Sequence, residues 1–580
     1  MASSRWPDIG IVLACAVMIS LVSQRWPGFN SPDSEFYASL SLFGSDVVDR
    51  AVEPSYFWTR LGYIAPVRLL VTVLGPWVGF EVWRVVLIAL IATAVYSLVH
   101  VAGRPRGLGL VLALAVGLNT VILSFLGNTY LTGTLLAGIF LVLALAVSQL
   151  GSVASRGRGL FGSPRWTTGL LIGVVFGWLV MTNPYGLLLA AAMWGAVRVA
   201  VLVLLRNERW KRLLIDASMI GVGFLVSAGA FLLAGRVIFP GRDWLATYLE
   251  WNSRLDYTVF IGDATTWQRD TALIVVVVAV LASVISVAVY PTRRWGWAAL
   301  AISVANVAAT IVLMVLFTGP WLESPTYVAL LWPGALSAVA LVFISMVPGT
   351  HDAVALPPRV FLVAAVLVAG LLIAVGRYED TLGLLAGWLI GAAAVLFIAL
   401  VALAARPEVF SVRRVSILLV VALLTTFVGA QVLQNGRGFL GIYGQYPFAG
   451  AYGDYQVEEQ MQAKITTQEW LLGRTSRQDS IMIWTDPAGL GASTAAMQLW
   501  GGDNLATLDA VLTRETRGRL EQVQPSVLAM YSPTQDLIDD FYASLPPWSL
   551  PSDLECTREP FPVVPSGEVI TCLTRLTWIG

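Results

Sequence analysis

Apolar runs of about twenty residues recur from residue 8 to residue 432 of this chain, the length a helix needs to cross a bilayer. Few folds are open to such a chain, because backbone N–H and C=O groups inside lipid must pair within a helix or a closed barrel. The runs lie near 8–23, 79–99, 107–126, 131–149, 167–183, 185–205, 213–235, 271–290, 297–317, 327–347, 360–376, 382–404 and 415–432, thirteen in all. They predict an α-helical polytopic membrane protein. Composition agrees, since 12% of the 580 residues are charged and 57% hydrophobic, against roughly 25% charged in soluble domains. The 36 basic and 36 acidic residues cancel, so no basic excess points to nucleic acid. What informs is where each sign sits along the chain.

With the N-terminus inside, the inner loops carry Arg104 and Arg106; Arg156, Arg158 and Arg165; Arg206, Arg209, Lys211 and Arg212; Arg293 and Arg294; Arg359; and Arg406, Arg413 and Arg414. Short outer loops such as "LGNTY" and "TGPWLESPTY" hold no basic residue. This asymmetry is the positive-inside pattern, and it fixes the expected orientation in the plasma membrane. The lead "MASSRWPD" precedes "IGIVLACAVMISLVS" with no small-residue cleavage site after it, so the first run reads as a retained helix.

Three segments are too polar to span, and the orientation puts all three outside: 24–80, 236–270 and the tail, which together with the spans divides the chain into 1–432 and 433–580. Within the first, "SYFWTRLGYIAPVRLLVTVLG" is apolar but interrupted by Arg60, Pro66 and Arg68, which suits a helix lying in the outer interface. The tail alternates helix and strand signals: a helix at "VEEQMQAKITTQEWLL", strands at "SIMIWTD", "NLATLD" and "SVLAMYS", and helices at "ASTAAMQLW" and "VLTRETRGRLEQV". That alternation predicts a small extracytoplasmic α/β domain. "LECTREPFPVV" and "VITCLTRL" read as a closing hairpin carrying Cys556 and Cys572. The two pair if this end meets an oxidising compartment, and otherwise remain free thiols.

The chemistry-bearing stretch is "NSPDSEFYASLSLFG", just outside the first run. Ser31 is a good N-cap and Pro32 suits the first helical position. Phe36, Leu40 and Phe43 recur at helical spacing, so a short helix starts here. Asp33 falls in its first turn, where the positive end of the helix dipole favours an ionised carboxylate. Such a group serves equally as helix cap, general base or metal ligand.

This context resembles the GT-C superfamily of polytopic glycosyltransferases, in the branch that contains the protein O-mannosyltransferases and the lipid A aminoarabinose transferases. The loop after their first span typically begins Asp-Glu-x-Tyr-Tyr-Ala; here the frame reads Asp33, Ser34, Glu35, Phe36, Tyr37, Ala38. The first acid and second aromatic are kept, while Ser34 replaces the second acid and Glu35 is displaced by one residue. The likeness continues to "FEVWRVVL", where Arg84 matches a common arginine at the start of the next span. It covers the first hundred residues; beyond them it is one of topology. What it implies is an inverting glycosyltransferase that takes a sugar from a polyprenyl-phosphate donor and passes it to an extracytoplasmic glycan, lipid or protein. A divalent cation is compatible with it but not required.

A phosphate leaving group needs no strong acid, so the protein must mainly supply a base for the acceptor hydroxyl and cations for the phosphate. Asp33 and Glu35 are the candidate catalytic carboxylates. Arg50, Arg60 and Arg68 in the first outer segment and Arg242, Arg254 and Arg269 in the second are the candidate phosphate ligands, because a guanidinium fork matches phosphate oxygens. Each serves equally to anchor lipid headgroups. Tyr37 and Trp251 are candidate sugar-stacking rings, although outer aromatics also form interfacial belts by default. "DPAGLGAS" lacks the full glycine spacing of a dinucleotide loop and reads as a turn. No clustered Cys and His suggests zinc. The alternatives are a polymerase or ligase using a lipid-linked oligosaccharide, and a transporter or flippase. The last would carry ionisable or helix-breaking residues at the midplane of several spans.

Overall fold

The computed structural model describes residues 32–49, 56–102, 131–154, 165–205, 210–254, 294–316, 329–346, 457–485, 514–547, 549–560 and 567–579, with scattered helical positions in 10–17, 109–126 and 275–287 and at Tyr327. The runs at 360–376, 382–404 and 415–432 lie outside the described residues, as do "NLATLD" and "ASTAAMQLW". The membrane part opens with α1 (Pro32–Phe43) and α2 (Ser45–Val48), followed by a 3₁₀ turn at Tyr56–Thr59 and α3 (Leu61–Leu74). Then come α4 (Pro76–Val101), α5 (Thr132–Ala154), α6 (Arg165–Thr182), α7 (Pro184–Leu205), α8 (Trp210–Ile238), α9 (Trp244–Arg254), α10 (Arg294–Leu316) and α11 (Trp332–Met346). Among the described residues four helices, α4, α5, α8 and α10, are long and apolar enough to cross a membrane by length and composition.

Close approaches at glycine fix the directions of these helices. Along α6, Gly169 meets Asp216 and Met219, Gly173 meets Ile220 and Phe224, and Gly177 meets Phe224 and Ser227 of α8, so α6 and α8 run parallel. A single residue, Asn183, joins α6 to α7, and α7 therefore runs back antiparallel to both. Gly186 of α7 lies on Leu135 and Gly138 of α5 on Leu179, which puts the start of α5 beside the α6–α7 turn. Gly62 of α3 lies against Thr182 at the same turn, and the Trp178 indole donates to the Gly62 carbonyl at 2.8 Å. The end of α4 meets Gly109, whose nearest neighbours are Tyr96 and Val99. The helical positions in 109–126 thus lead from that far side back to the start of α5.

Arg242, which follows α8, returns to the first outer segment, donating to the Val48 carbonyl at 3.0 Å and to Asp49 Oδ1 at 3.1 Å. At the opposite end of the bundle, Arg198 of α7 and Asp216 of α8 form a buried pair at 3.0 Å. Removing either partner would strand a charge among apolar helices.

The 327–347 run is interrupted. Helical positions at Tyr327 and Ala329 give way to a turn at Leu330–Leu331 before α11 begins at Trp332. Pro333 has no N–H to give the preceding turn, and the buried Leu331 carbonyl accepts both the Ala335 N–H at 3.2 Å and the Asn306 side chain of α10 at 2.9 Å.

The tail comprises α12 (Val457–Arg474), β1 (Ile481–Thr485), α13 (Arg514–Val523), β2 (Val527–Ser532), α14 (Gln535–Ala543), β3 (Ser549–Pro551), β4 (Glu555–Pro560) and β5 (Glu568–Trp578). β1 and β2 are parallel, β2 and β5 antiparallel, and both β3 and β4 pair with β5. Parallel neighbours need a crossover connection, which is why helix-forming sequence separates β1 from β2. Alternation along β5 puts Ile570, Cys572 and Leu576 in one apolar layer with Trp484 and Phe541, and Leu573 in the other with Tyr531 and Leu471. Cys556 and Cys572 face each other in the β4–β5 register and are disulfide-bonded.

Candidate active site

The site is assembled on α1. Pro32 starts the helix because its fixed φ fits the first turn and its missing N–H is not needed there. Asp33 and Glu35 lie in that turn; Tyr37 follows Asp33 by one turn on the same helix face, and Glu35 lies about 200° round from Asp33. The Tyr37 side chain is buried, edge-on to Phe57 at 5.3 Å and to Tyr63 at 5.8 Å. At the other end the chain leaves the helix through Gly44, whose φ of 60° suits glycine. A side chain there would strike the Arg68 guanidinium, 2.9 Å from the nearest position a Cβ would take. That guanidinium donates to the Ser41 and Leu42 carbonyls at 3.2 and 3.0 Å, satisfying acceptors that a helix end leaves open.

The second outer segment wraps onto this base. Asp243 accepts from the Leu245 and Ala246 N–H groups at 3.0 and 3.1 Å and caps α9. The Trp244 indole donates to the Thr59 carbonyl at 2.6 Å, and its ring stacks on Tyr248 with centroids 4.5 Å apart. Arg60, 3% exposed at the start of α3, lies over the Tyr248 ring at 5.6 Å. Trp58 packs on Phe239 at 5.5 Å. Aromatic rings thus flank a guanidinium held out of water, where its charge acts more strongly than it would in solvent.

The tail arrives at the same place. Arg477, just past α12, pairs with Asp46 at 2.7 Å and approaches Asp49 Oδ2 at 3.9 Å. Asp49 also accepts from Arg242, so the short helix α2 ties the first outer segment to the second and to the tail. Close to this junction, desolvation works to raise the Asp479 carboxyl, but the Ser476 N–H and the Arg575 guanidinium outweigh it and hold the carboxyl below its ordinary value.

Of the residues picked from sequence, Tyr37, Arg60, Arg68 and Arg242 converge here. Asp33 and Glu35 are placed by their backbone in the first turn of α1, and Trp251 and Arg254 by theirs at the end of α9. Arg50 and Arg269 lie outside the described residues. Arg68 and Arg242 direct donors to main-chain carbonyls, a task the phosphate reading did not foresee. The sequence reading also missed Asp46, Asp49 and Arg477. The repeated acids in "SDVVDR" were a usable signal, but the basic partners lie 193 and 431 residues away. Among the described residues no group of three His, Cys, Asp or Glu side chains stands ready for a metal.

No protein-family description and no curated protein matches the chain. Among solved structures it is similar to ArnT from Cupriavidus metallidurans bound to undecaprenyl phosphate, at 15% identity and TM-score 0.46, covering 99% of this chain and 98% of that one. It is also similar to the apo oligosaccharyltransferase of Archaeoglobus fulgidus, at 11% identity and TM-score 0.46, covering 91% of this chain and 70% of that one. Both proteins are members of the GT-C superfamily. At these TM-scores they are likenesses and nothing more.

Proposed function

We propose that the protein is a GT-C-type membrane glycosyltransferase that moves a sugar, with inversion, from a polyprenyl-phosphate donor to an extracytoplasmic glycan, lipoglycan or protein. What carries this reading is the convergence of two outer segments and the tail on α2, the short helix that directly follows the Asp33-bearing α1. In the proposed mechanism, Asp33 accepts the proton of the acceptor hydroxyl as that oxygen attacks the anomeric carbon, and the C–O bond to the lipid phosphate breaks. The departing phosphate keeps the bonding electron pair, so the cation beside it matters more than an acid. Arg60 is the best-suited phosphate ligand, since its charge is buried against Tyr248 next to the aromatic group around Tyr37. Residues 1–432 are the catalytic membrane domain and 433–580 the extracytoplasmic domain that meets the acceptor. The transporter alternative predicts breaks in several spans; among the described residues the turn at Leu330–Leu331 is one, and its Leu331 carbonyl is paired with Ala335 and Asn306.

The test is transfer from a synthetic polyprenyl-phosphate sugar to an envelope extract by purified protein in nanodiscs. Asp33→Asn keeps a residue able to cap the helix and should leave thermal unfolding unchanged. Transfer should fall by about 10²- to 10⁴-fold, the usual loss for a general base. Wild-type rates in the variant would reduce Asp33 to a helix cap.

A further inference from the structure

The helix α12 faces two ways. Ile465 packs into the apolar core of the membrane part, whereas Leu471 belongs to the layer beneath the tail sheet. Three residues after Ile465 and three before Leu471, Gln468 lies about 60° round the helix from each, between the two directions. Gln468 is fully buried, and neither its Oε1 nor its Nε2 has a hydrogen-bond partner among the described residues. A buried carboxamide with both ends unpaired loses its water contacts and gains nothing in return, so a residue kept in that state needs a reason.

Resting on the glycosyltransferase reading, we infer that Gln468 is an acceptor-binding residue in the seam between tail and membrane part, and that the acceptor is a carbohydrate. A carboxamide offers one acceptor and two donors side by side, which matches neighbouring hydroxyls that each donate and accept. The seam lies beside the junction where Arg477 reaches Asp46, on the side of the membrane that carries α1. A sugar hydroxyl bound there approaches the proposed base from the tail side, while the lipid donor comes from the bilayer.

The test compares wild type with Gln468→Leu, which keeps the volume and removes the unpaired groups, using the full chain in nanodiscs. Three quantities are read: the unfolding midpoint, equilibrium binding of reducing-end-labelled envelope oligosaccharides with no donor present, and the separate KM values for donor and acceptor. The variant should unfold about 1–3 °C higher. It should bind the oligosaccharides roughly 10- to 100-fold more weakly, and the same factor should enter the acceptor KM while the donor KM holds. A lowered midpoint would show that the carboxamide serves a structural partner, and a raised midpoint with unchanged glycan binding would make it a tolerated defect; either overturns the inference. If wild type binds the oligosaccharides but transfers no sugar, the glycosyltransferase reading fails while the Gln468 site stands. If wild type binds no oligosaccharide, the site itself is refuted.

Discussion

The seam between α6 and α8 and the junction at α2 solve the same problem, joining chain segments distant in sequence, with opposite chemistry. In the first, three glycines one turn apart bring two helices into backbone contact, and among the described residues no ion pair joins the two. In the second, three arginines from different segments reach main-chain carbonyls and two carboxylates. The difference follows from the solvent. Between helices in lipid there is little hydrophobic driving force, so close packing of small residues must supply the attraction. Outside the bilayer water competes for every donor, and a guanidinium that makes several bonds at once holds on better than a single contact does. The membrane half is therefore intolerant of added volume, and the outer half is sensitive to charge.

The largest effect expected from this contrast is at Gly173. A Cβ there would collide with the Ile220 carbonyl and the Phe224 backbone, neither of which can give way without moving α8. Gly173→Leu should destabilise the bundle by about 3 kcal/mol or more, beyond ordinary overpacking, and yield no monodisperse protein in size-exclusion chromatography. Gly221, on the same α8, has nothing within 4 Å of the place a Cβ would occupy; Gly221→Ala should be neutral or stabilise by up to about 1 kcal/mol. Equal behaviour of the two variants would dissolve the distinction between glycine for contact and glycine by chance.

Next in size is the disulfide of the tail. Closing a loop of sequence separation 16 should stabilise the tail by roughly 3 kcal/mol through the unfolded chain. Reduction, or Cys556→Ser with Cys572→Ser, should lower the tail's midpoint of unfolding in urea accordingly and leave the membrane helices intact by circular dichroism. Loss of the helical signal on reduction would mean that the two halves do not unfold separately.

How legible each half was in the sequence follows the same division. Apolar runs placed α4 to α8 and α10 to within a few residues, since span length is set by bilayer thickness and needs no partner. The run at 327–347 hid its break, because hydropathy does not register the turn at Leu330–Leu331 or Pro333 at the start of α11. Gly169, Gly173 and Gly177 stood in plain view as a small-residue repeat but were absorbed into hydropathy. In the tail, β1, β2, α12 and the β4–β5 hairpin were readable from alternation, whereas α14 and the short β3 went unseen. The junction at α2 could not be read at all, since ion pairs leave no periodicity.

A smaller effect concerns pH. Because the Asp479 carboxyl is held below its ordinary value when folded, its contribution is present above the unfolded pKa of about 3.9 and is lost as pH falls through the lower folded value. Its bonds from Arg575 at 3.1 Å and from the Ser476 N–H at 2.7 Å should contribute about 1.5 kcal/mol, the low end for charged hydrogen bonds, since Arg575 is half exposed. Urea midpoints measured from pH 6 down to pH 3 should therefore decline less steeply in Asp479→Asn than in wild type. Identical slopes would show that the tail's acid sensitivity lies with other carboxylates.

The smallest and most discriminating effect is expected at the contact between the halves. Arg477 and Asp46 are 57% and 43% exposed, and pairs so open to water contribute only about 0.2–1 kcal/mol. Arg477→Glu should hardly move the unfolding midpoint. It should nonetheless loosen the tail, because it sets a carboxylate against Asp46 and also Asp49, both already drawn to Arg242 or Arg477. Limited proteolysis after residue 432 would register that loosening as faster release of the tail. Asp46→Arg alone should do the same, and Arg477→Glu with Asp46→Arg should restore much of the protection, since the exchanged charges can pair again. The effect should also shrink in high salt, where screening acts within about 3 Å at 1 M. Glycine seams should show no such salt dependence. If the double exchange protects no better than either single variant, Arg477 holds the tail through its main chain or its neighbours, and the junction at α2 is a meeting place without being a latch.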